Sequence, residues 1–456
     1  MGRPSLVAHS QAGTEARPTG VFSYKVRVLF ISFNSSRLIV PPFPLGLASV
    51  VASLGPEHPF RVLDFMFAPD PRQEVLAVLK DFQPELIALS LRNIDNQDSR
   101  FPEFFFPETQ QFCRWLRTHT QAPLVLGGSA FSIFPQELLE YLQADMGLVG
   151  EGELSFKALA DSYPQGDWTT IPGLVFQTQG QWRENPPQPV ADLDALPDPA
   201  LEYFTPVQYH EAVGSAKLPG VMTVQSRRGC PRRCRYCTTA RLEGLKVRTR
   251  APEKVAAFMA ASYHRWGLRR FYFVDNLFNH PRDYARRLCR AIKQLNLPLE
   301  WLCLINPAYP DEELFHLLRE AGCVQAQVGN ESGSDLVLTN LGKGFSRRQV
   351  EETFQLLQRV GLPYNCFLLF GGPGETPATV QESVELLEDY HPFLVNLTVG
   401  IRIYPHTGIY DQALAEGVIS PEDNLLWPQF YLSAAVADWI WDYLKEVTLR
   451  HPNWIF

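Results

Sequence analysis

Cys230, Cys234 and Cys237 fall in one short run, Arg228-Gly229-Cys230-Pro231-Arg232-Arg233-Cys234-Arg235-Tyr236-Cys237. The pattern Cys-x3-Cys-x2-Cys puts three soft thiolate ligands on a single loop. A loop this tight wraps one cube of iron and sulfide, and a four-iron cluster ordinarily takes four cysteines. With three, one iron stays open to a ligand that the protein does not supply. An open position marks a reactive metal site more than a structural one. The rival, a zinc site, asks for four closed ligands, often as two separated pairs. No matching second pair exists in this sequence.

The elements that must position this loop alternate regularly. A strand at Val221–Gln225 runs directly into the cysteines. Five further strands are expected at Arg270–Asp275, Glu300–Ile305, Cys323–Gly329, Tyr364–Phe370 and Leu394–Arg402. Helices are expected between them at Pro252–Trp266, Arg282–Leu295, Asp311–Ala321, Arg347–Val360 and Thr379–Tyr390. Six βα units are too few for a closed eight-unit barrel and predict a partial (βα)6 TIM-type barrel with an open side. Chemistry in such a barrel sits at the carboxyl ends of the strands. Those ends carry Asp275-Asn276-Leu277-Phe278, Gly329-Asn330-Glu331-Ser332-Gly333, Gly371-Gly372-Pro373-Gly374-Glu375 and Arg402.

A second strand–helix alternation precedes the barrel, from about Tyr24 to Ser162, and predicts a Rossmann-like, doubly wound parallel sheet. Ligands bind such sheets at the carboxyl ends of the strands. There stand Ser90-Leu91-Arg92-Asn93, Gly127-Gly128-Ser129 and Gly150-Glu151-Gly152-Glu153. Glycines at strand ends let a large planar or phosphate-bearing ligand approach the backbone; the plainer reading is ordinary strand–helix turns. The expected order is a disordered tail (1–23), the α/β domain (24–164), a Pro-rich linker with a hairpin (165–218), the barrel (219–409) and a small helical, aromatic-rich region (410–456). The aromatic run around Trp427, Phe430 and Tyr431 reads as a C-terminal core staple before it reads as a cavity wall.

Composition excludes several classes. The 456 residues are 45% hydrophobic and 20% charged, ordinary for a globular protein, and a net charge of −8 gives no support for nucleic-acid binding. No apolar run approaches the ~20 residues of a membrane helix, and the first residues lack a signal peptide's apolar core. The isolated Cys113, Cys289, Cys303, Cys323 and Cys366 read as small buried hydrophobes. A cytoplasmic location is expected, where a reducing medium suits an oxygen-sensitive cluster.

The cysteine loop and the strand-end segments behind it resemble the radical S-adenosylmethionine (SAM) enzymes. In that family the open iron of a 4Fe-4S cluster binds S-adenosylmethionine, and the reduced cluster cleaves it to a 5′-deoxyadenosyl radical. The resemblance implies SAM contacts at Tyr236, Asp275, Asn276, Glu331, Ser332, Gly371, Gly372 and Arg402. The first domain resembles the cobalamin-binding domain fused before many such barrels. That implies cobalamin contacts at Ser90, Arg92, Asn93, Gly127, Gly128, Gly150, Glu151 and Gly152. One departure stands out. Many cobalamin domains carry Asp-x-His-x-x-Gly after the first strand, with the histidine on cobalt. Here Asn34 to Pro42 contains no histidine. At the Ser-x-Leu position the chain reads Ser90-Leu91-Arg92, and arginine has no lone pair to donate. Arg92 beneath the cobalt is therefore expected to keep that face unligated; alternatively it pairs with Asp95 at the surface.

The function this implies is a cobalamin-dependent radical SAM methyltransferase that moves methyl from methylcobalamin to an unactivated carbon. Its partners would be a small-molecule, lipid or peptide substrate and an electron donor such as flavodoxin or ferredoxin. A cobalamin-dependent cyclase or rearrangement enzyme shares every motif, and a non-catalytic cobalamin or redox sensor is the non-enzyme alternative. A methylthiotransferase is disfavoured, because the first domain offers only Cys113 toward a second cluster.

Overall fold

The computed structural model describes residues 24–34, 41–212 and 220–456. The expected tail at 1–23 and most of the histidine-free stretch lie outside the described residues. The first sheet is built around β1 (Val28–Ser32), whose five residues are all buried. Its partners are β2 (Phe60–Asp64), β3 (Leu86–Ser90), β4 (Leu124–Gly127), β5 (Met146–Leu148), β6 (Leu174–Thr178) and β7 (Gln181–Glu184), in the order β2-β1-β3-β4-β5-β6-β7. The strands β1 to β5 are mutually parallel, as the strand–helix alternation requires.

Two expectations change here. The sheet is mixed, because β6 runs antiparallel to β5 and β7 antiparallel to β6. The hairpin placed in the linker is therefore the edge of the first sheet. The physical reason is burial: Leu174, Val175 and Phe176 cover the three-residue strand β5. The hairpin turns at Gln179 and Gly180, both with positive φ (51° and 78°), the geometry that a two-residue turn between twisted strands prefers. The Pro-rich strap proper begins only after Glu184.

The second sheet is the barrel wall. Its strands are β8 (Met222–Val224), β9 (Arg270–Phe273), β10 (Glu300–Ile305), β11 (Cys323–Glu331), β12 (Tyr364–Phe370), β13 (Leu394–Val399) and β14 (Trp454–Ile455). They lie in unbroken order from β8 to β14, every pair parallel. Six of them are the expected units. The seventh, at the end of the chain, extends the open edge beside β13 and was not foreseen; two residues are too few to show a period.

The domains are clamped by buried charge. The segment after β3 leaves the first sheet and lies on the barrel's open side. There Asp95 accepts from Arg402 Nε at 2.7 Å, and Ser99 Oγ donates to the Val399 carbonyl. Glu151 pairs with Arg248 at 2.6 Å, and Glu153 with Arg228 at 2.5 Å. Leu425, Leu426 and Tyr431 are buried in the core that this segment shares with the first sheet, and Trp427 packs on Phe104. The aromatic run is thus a staple between domains.

Candidate active site

The cysteine loop starts at a backbone turn that only glycine accepts easily. Gly229 has φ +89°, and a Cβ there would lie 2.2 Å from the Lys246 carbonyl oxygen. Cys230 N then donates to Gly244 O at 3.1 Å, and Cys237 N to Cys234 O at 3.1 Å, so the loop curls tightly on itself. Arg235 N donates to Leu341 O, and Ile409 N to Arg235 O, fixing its far side. All three thiols line one cavity of about 390 Å3 inside the barrel mouth. Among the described residues no three Cys, His, Asp or Glu side chains converge on a single ion position. Three thiols on one loop and one cavity suit an iron-sulfur cube, and the donor set leaves one iron without a cysteine. Burial raises the thiol pKa of Cys230 and of Cys234, and Lys343 opposes it at Cys234. Metal uptake must therefore release these protons.

Tyr236, Asn276 and Glu331 face the same cavity. Tyr236 donates to Glu331 Oε1 at 3.0 Å, and Lys343 Nζ donates to both, at 3.0 and 3.1 Å. Glu331 is reached by a bulge in β11 and sits at φ +63°, left-handed for a residue with a side chain. That backbone turns its carboxylate to Tyr236 rather than to the following helix, so it is no helix cap. Burial and the Glu331 charge push the Tyr236 phenol well up, so it stays a donor. Asn276 donates to Glu243 at 2.7 Å and accepts from Thr239 at 3.1 Å.

Of the other expected SAM contacts, Asp275, Ser332, Gly371 and Gly372 do not line this cavity, and Arg402 does. Asp275 is buried and accepts from Ser226 N, Ser226 Oγ and Arg227 N. Ser332 is buried against Ser383. The Gly371 and Gly372 amides both donate to Glu375 Oε2, at 2.8 and 3.3 Å. Arg402 reaches the cavity wall, but its nitrogens serve Asp95 and the carbonyls of Ile403 and Leu425. A strand-end cation in the right place reads as a ligand contact until its acid partner, far off in the sequence, is known.

Glu375 is buried, and burial pushes its carboxyl pKa from 4.5 up to about 7. Between these values the folded chain keeps a proton that the unfolded chain gives up. Its contribution to stability is then full below pH 4.5 and lost as pH rises through about 7, by on the order of 3 kcal/mol. Glu375→Gln is expected to flatten that part of the stability profile, checked by thermal unfolding from pH 5 to pH 8.

The second cavity, about 340 Å3, lies between the carboxyl ends of β1, β3, β4 and β5 and the start of the barrel. It lies within the roughly 300–1,000 Å3 of ordinary small-ligand pockets. Ser90, Arg92, Gly127, Gly128, Gly150, Glu151 and Gly152 line it. The glycines cradle space: a Cβ on Gly127 would meet nothing within 4 Å, while one on Gly128 would strike the Leu91 carbonyl oxygen at 2.3 Å. A broad cleft with a bare backbone floor fits a corrinoid. Asn93 and Glu151 differ from the other expected contacts. Asn93 is half-buried beside the cleft wall and does not line it. The Glu151 carboxylate is taken by Arg248, Arg228 and the Val190 amide. The Arg92–Asp95 pair is also ruled out, since Asp95 binds Arg402. Among the described residues no carboxylate pairs with Arg92. Its guanidinium lies toward Tyr272 of the barrel, and burial lowers its pKa, without removing the charge.

Sequence reasoning missed Lys343 and Glu243. Lys343 is buried between Gly342 and Gly344, both at φ +68°; a lysine in a Gly-x-Gly turn behind a strand-end glutamate was the available signal. Glu243 lines the second cavity yet accepts from Gly229 N at 2.9 Å and from Asn276, so it joins the two sites.

Residues 224–387 match the family described as the Radical SAM superfamily. That segment is a radical SAM domain, and the fold of the whole chain is similar to solved cobalamin-dependent radical SAM enzymes. It is similar to an uncharacterized methyltransferase of Pyrococcus horikoshii, 24% identical over 82% of this chain and 79% of the relative. It is also similar to the tryptophan 2-C-methyltransferase of Streptomyces laurentii, 25% identical over 86% and 75%. Among solved structures, the radical S-adenosylmethionine methyltransferase TsrM of Kitasatospora setae, with tryptophan and a SAM analog bound, superposes with a TM-score of 0.80. The match has 22% identity and spans 93% of this chain and 89% of that one. Among the described residues no helix is long and apolar enough to cross a membrane.

Proposed function

We propose that the protein is a cobalamin-dependent radical SAM methyltransferase acting on an unactivated carbon. The observation that carries this reading is the apposition of the two cavities. The glycine-floored cleft lies against the start of the barrel, and Glu243, on its wall, accepts from Asn276 of the three-cysteine chamber. When bound, the cluster and S-adenosylmethionine supply the radical and the corrinoid the methyl group. The protein's own residues then bind, orient and exclude water. Cys230, Cys234 and Cys237 hold the cluster. Tyr236, Asn276 and the Glu331–Lys343 pair form the polar wall for S-adenosylmethionine. Ser90, Gly127, Gly128, Gly150 and Gly152 floor the corrinoid cleft, with Arg92 at its edge. The substrate is a small molecule, lipid or peptide, the electron donor a flavodoxin- or ferredoxin-type protein, and the location cytoplasmic.

The test is product mass after incubation with methyl-labelled S-adenosylmethionine and a low-potential reductant. Labelled methyl in the product is expected. A product without it would transfer the chain to the cyclase or rearrangement class, and absence of any cleavage of S-adenosylmethionine would favour a sensor. Arg92 offers an independent check. With a corrinoid in this cleft, Arg92 would present a charge and no lone pair to the cobalt. Arg92→His is expected to alter the visible spectrum of bound cobalamin through a new nitrogen ligand, and Arg92→Ala to admit water there. Unchanged coordination in both variants would refute this role for Arg92.

A further inference from the structure

We propose that Arg232 tunes the reduction potential of the iron-sulfur cluster: among the described residues it is the one cation lining the cysteine chamber that meets no carboxylate, and its charge favours the added electron. The proposal rests on the radical SAM reading of the same loop.

The stretch around the cysteines is strongly basic in a chain of net charge −8. From Arg227 to Arg250 it holds nine lysines and arginines and a single acid, Glu243. Five of the nine meet a carboxylate: Arg227, Arg228, Arg241, Arg248 and Arg250. The others are Lys246, which is exposed, and the arginines interleaved with the cysteines, Arg232, Arg233 and Arg235. Arg233 is exposed to water. Arg235 turns aside to the Gly408 carbonyl at 3.4 Å and to Gln412 Oε1 at 3.0 Å. Of these three arginines, only Arg232 lines the chamber with Cys230, Cys234 and Cys237. The chamber's other charges are paired, Glu331 with Lys343 at 3.1 Å and Arg402 with Asp95 at 2.7 Å. One positive charge is left over.

That charge is held in place. The guanidinium lies 4.8 Å from the centre of the Tyr309 ring, and Nη1 donates to the Gly344 carbonyl at 3.2 Å. Tyr309 stacks in turn on His280, with ring centres 4.3 Å apart. A half-buried cation over an aromatic face keeps more of its field than one at the surface. Its Nε is buried and has no partner. A guanidinium only donates, so its spare N–H groups call for an acceptor, best a charged one. Thiolate and sulfide are the acceptors such a loop brings once it holds iron, and the Arg232 charge acts on the Cys230 thiol. Net charge and hydrogen bonds to the sulfurs set the potential of an iron-sulfur cluster. Reduction adds one electron, drawn from a low-potential donor, so a fixed cation nearby favours the reduced state. The plainer role for Arg232 is a staple that ties the cysteine loop to Gly344.

The test is an EPR-monitored redox titration of the full chain with its cluster reconstituted, with dithionite as electron donor, at one ionic strength and without S-adenosylmethionine. Arg232→Gln removes the charge and keeps an N–H donor for Gly344. It is expected to lower the ratio of reduced to oxidised cluster at a fixed potential about 10-fold, or about 59 mV for a one-electron couple. Arg232→Lys keeps the charge without the planar fork and is expected to stay within about 2-fold of the wild type. Arg235→Gln, on the arginine that turns aside, is expected to stay there too. A staple alone gives equal potentials in the Arg232 variants or a larger change with lysine, and either result would overturn the proposal. So would an equal fall in Arg235→Gln, which would assign the effect to the loop's net charge. Binding of S-adenosylmethionine is measured alongside by calorimetry; weaker binding with an unmoved potential would give Arg232 to that ligand's carboxylate instead. Where Arg232→Gln fails to take up iron, Arg232→Leu, which packs on Tyr309 without a charge, serves in its place, and loss of the cluster in both would assign Arg232 to assembly and sink the idea. A wild-type protein without iron and sulfide after reconstitution would remove the radical SAM reading itself, which iron content shows before any titration.

Discussion

Asp95→Ala is expected to destabilise the protein by about 3–5 kcal/mol, a large fraction of an ordinary domain's stability. Both members of the pair are buried, Asp95 at 6% and Arg402 at 5% exposure. Removing the carboxylate leaves a guanidinium enclosed by carbonyls and aromatic rings, including Tyr404 with its ring 4.9 Å away. Two charged groups taken from water gain little net from each other, but one stranded alone is costly. The double variant Asp95→Leu with Arg402→Met is therefore expected to lose much less than Asp95→Ala. Denaturant midpoints of the three proteins check this, and equal losses in single and double variants would assign the effect to packing alone. The functional consequence is larger than the stability figure. Asp95 anchors the segment that carries Arg92 into the cleft and Gln97 to the chamber wall, so its loss should also weaken corrinoid binding.

Most strands of both domains were legible in the sequence because each buried strand is a short β-branched or aromatic run between helix signals. The sequence also made the metal loop legible, because thiol spacing alone constrains what the loop can wrap. It did not reveal which strand-end polar groups face the cavities. Asp275, Glu331 and Arg402 look alike in sequence, each a charged residue closing a strand. Their roles diverge through partners 49, 95 and 307 residues away. Glu331 turns inward because β11 bulges, and a bulge leaves no mark in a pattern of period two. The hairpin at β6 and β7 was recognised as a hairpin but assigned to the strap, since its turn is local whereas its pairing to β5 is not. Lys343 and Glu243 escaped for the same reason: their importance lies in contacts across elements.

Cys234→Ala is expected to abolish both the cluster and methyl transfer while leaving the fold in place. The loop offers three thiols and no neighbouring cysteine to substitute, so losing one leaves two ligands for four irons. Iron and sulfide content should fall to background, and cleavage of S-adenosylmethionine should become undetectable. Cys366→Ala is the matching control. Cys366 is fully buried in β12, and burial holds its thiol pKa well above the usual range, so it behaves as a small apolar side chain. Its replacement should cost about 1–2 kcal/mol of stability through lost packing and leave the iron content unchanged. The two variants remove the same atom from the same barrel with opposite outcomes, one chemical and one mechanical. The difference is burial with or without a shared cavity: Cys234 opens onto the chamber beside Glu331 and Lys343, while Cys366 faces only the core. If Cys366→Ala also emptied the cluster, the loop's integrity would depend on barrel packing more than on its own turns. The Gly229 and Gly244 contacts that brace it argue for the loop's own turns.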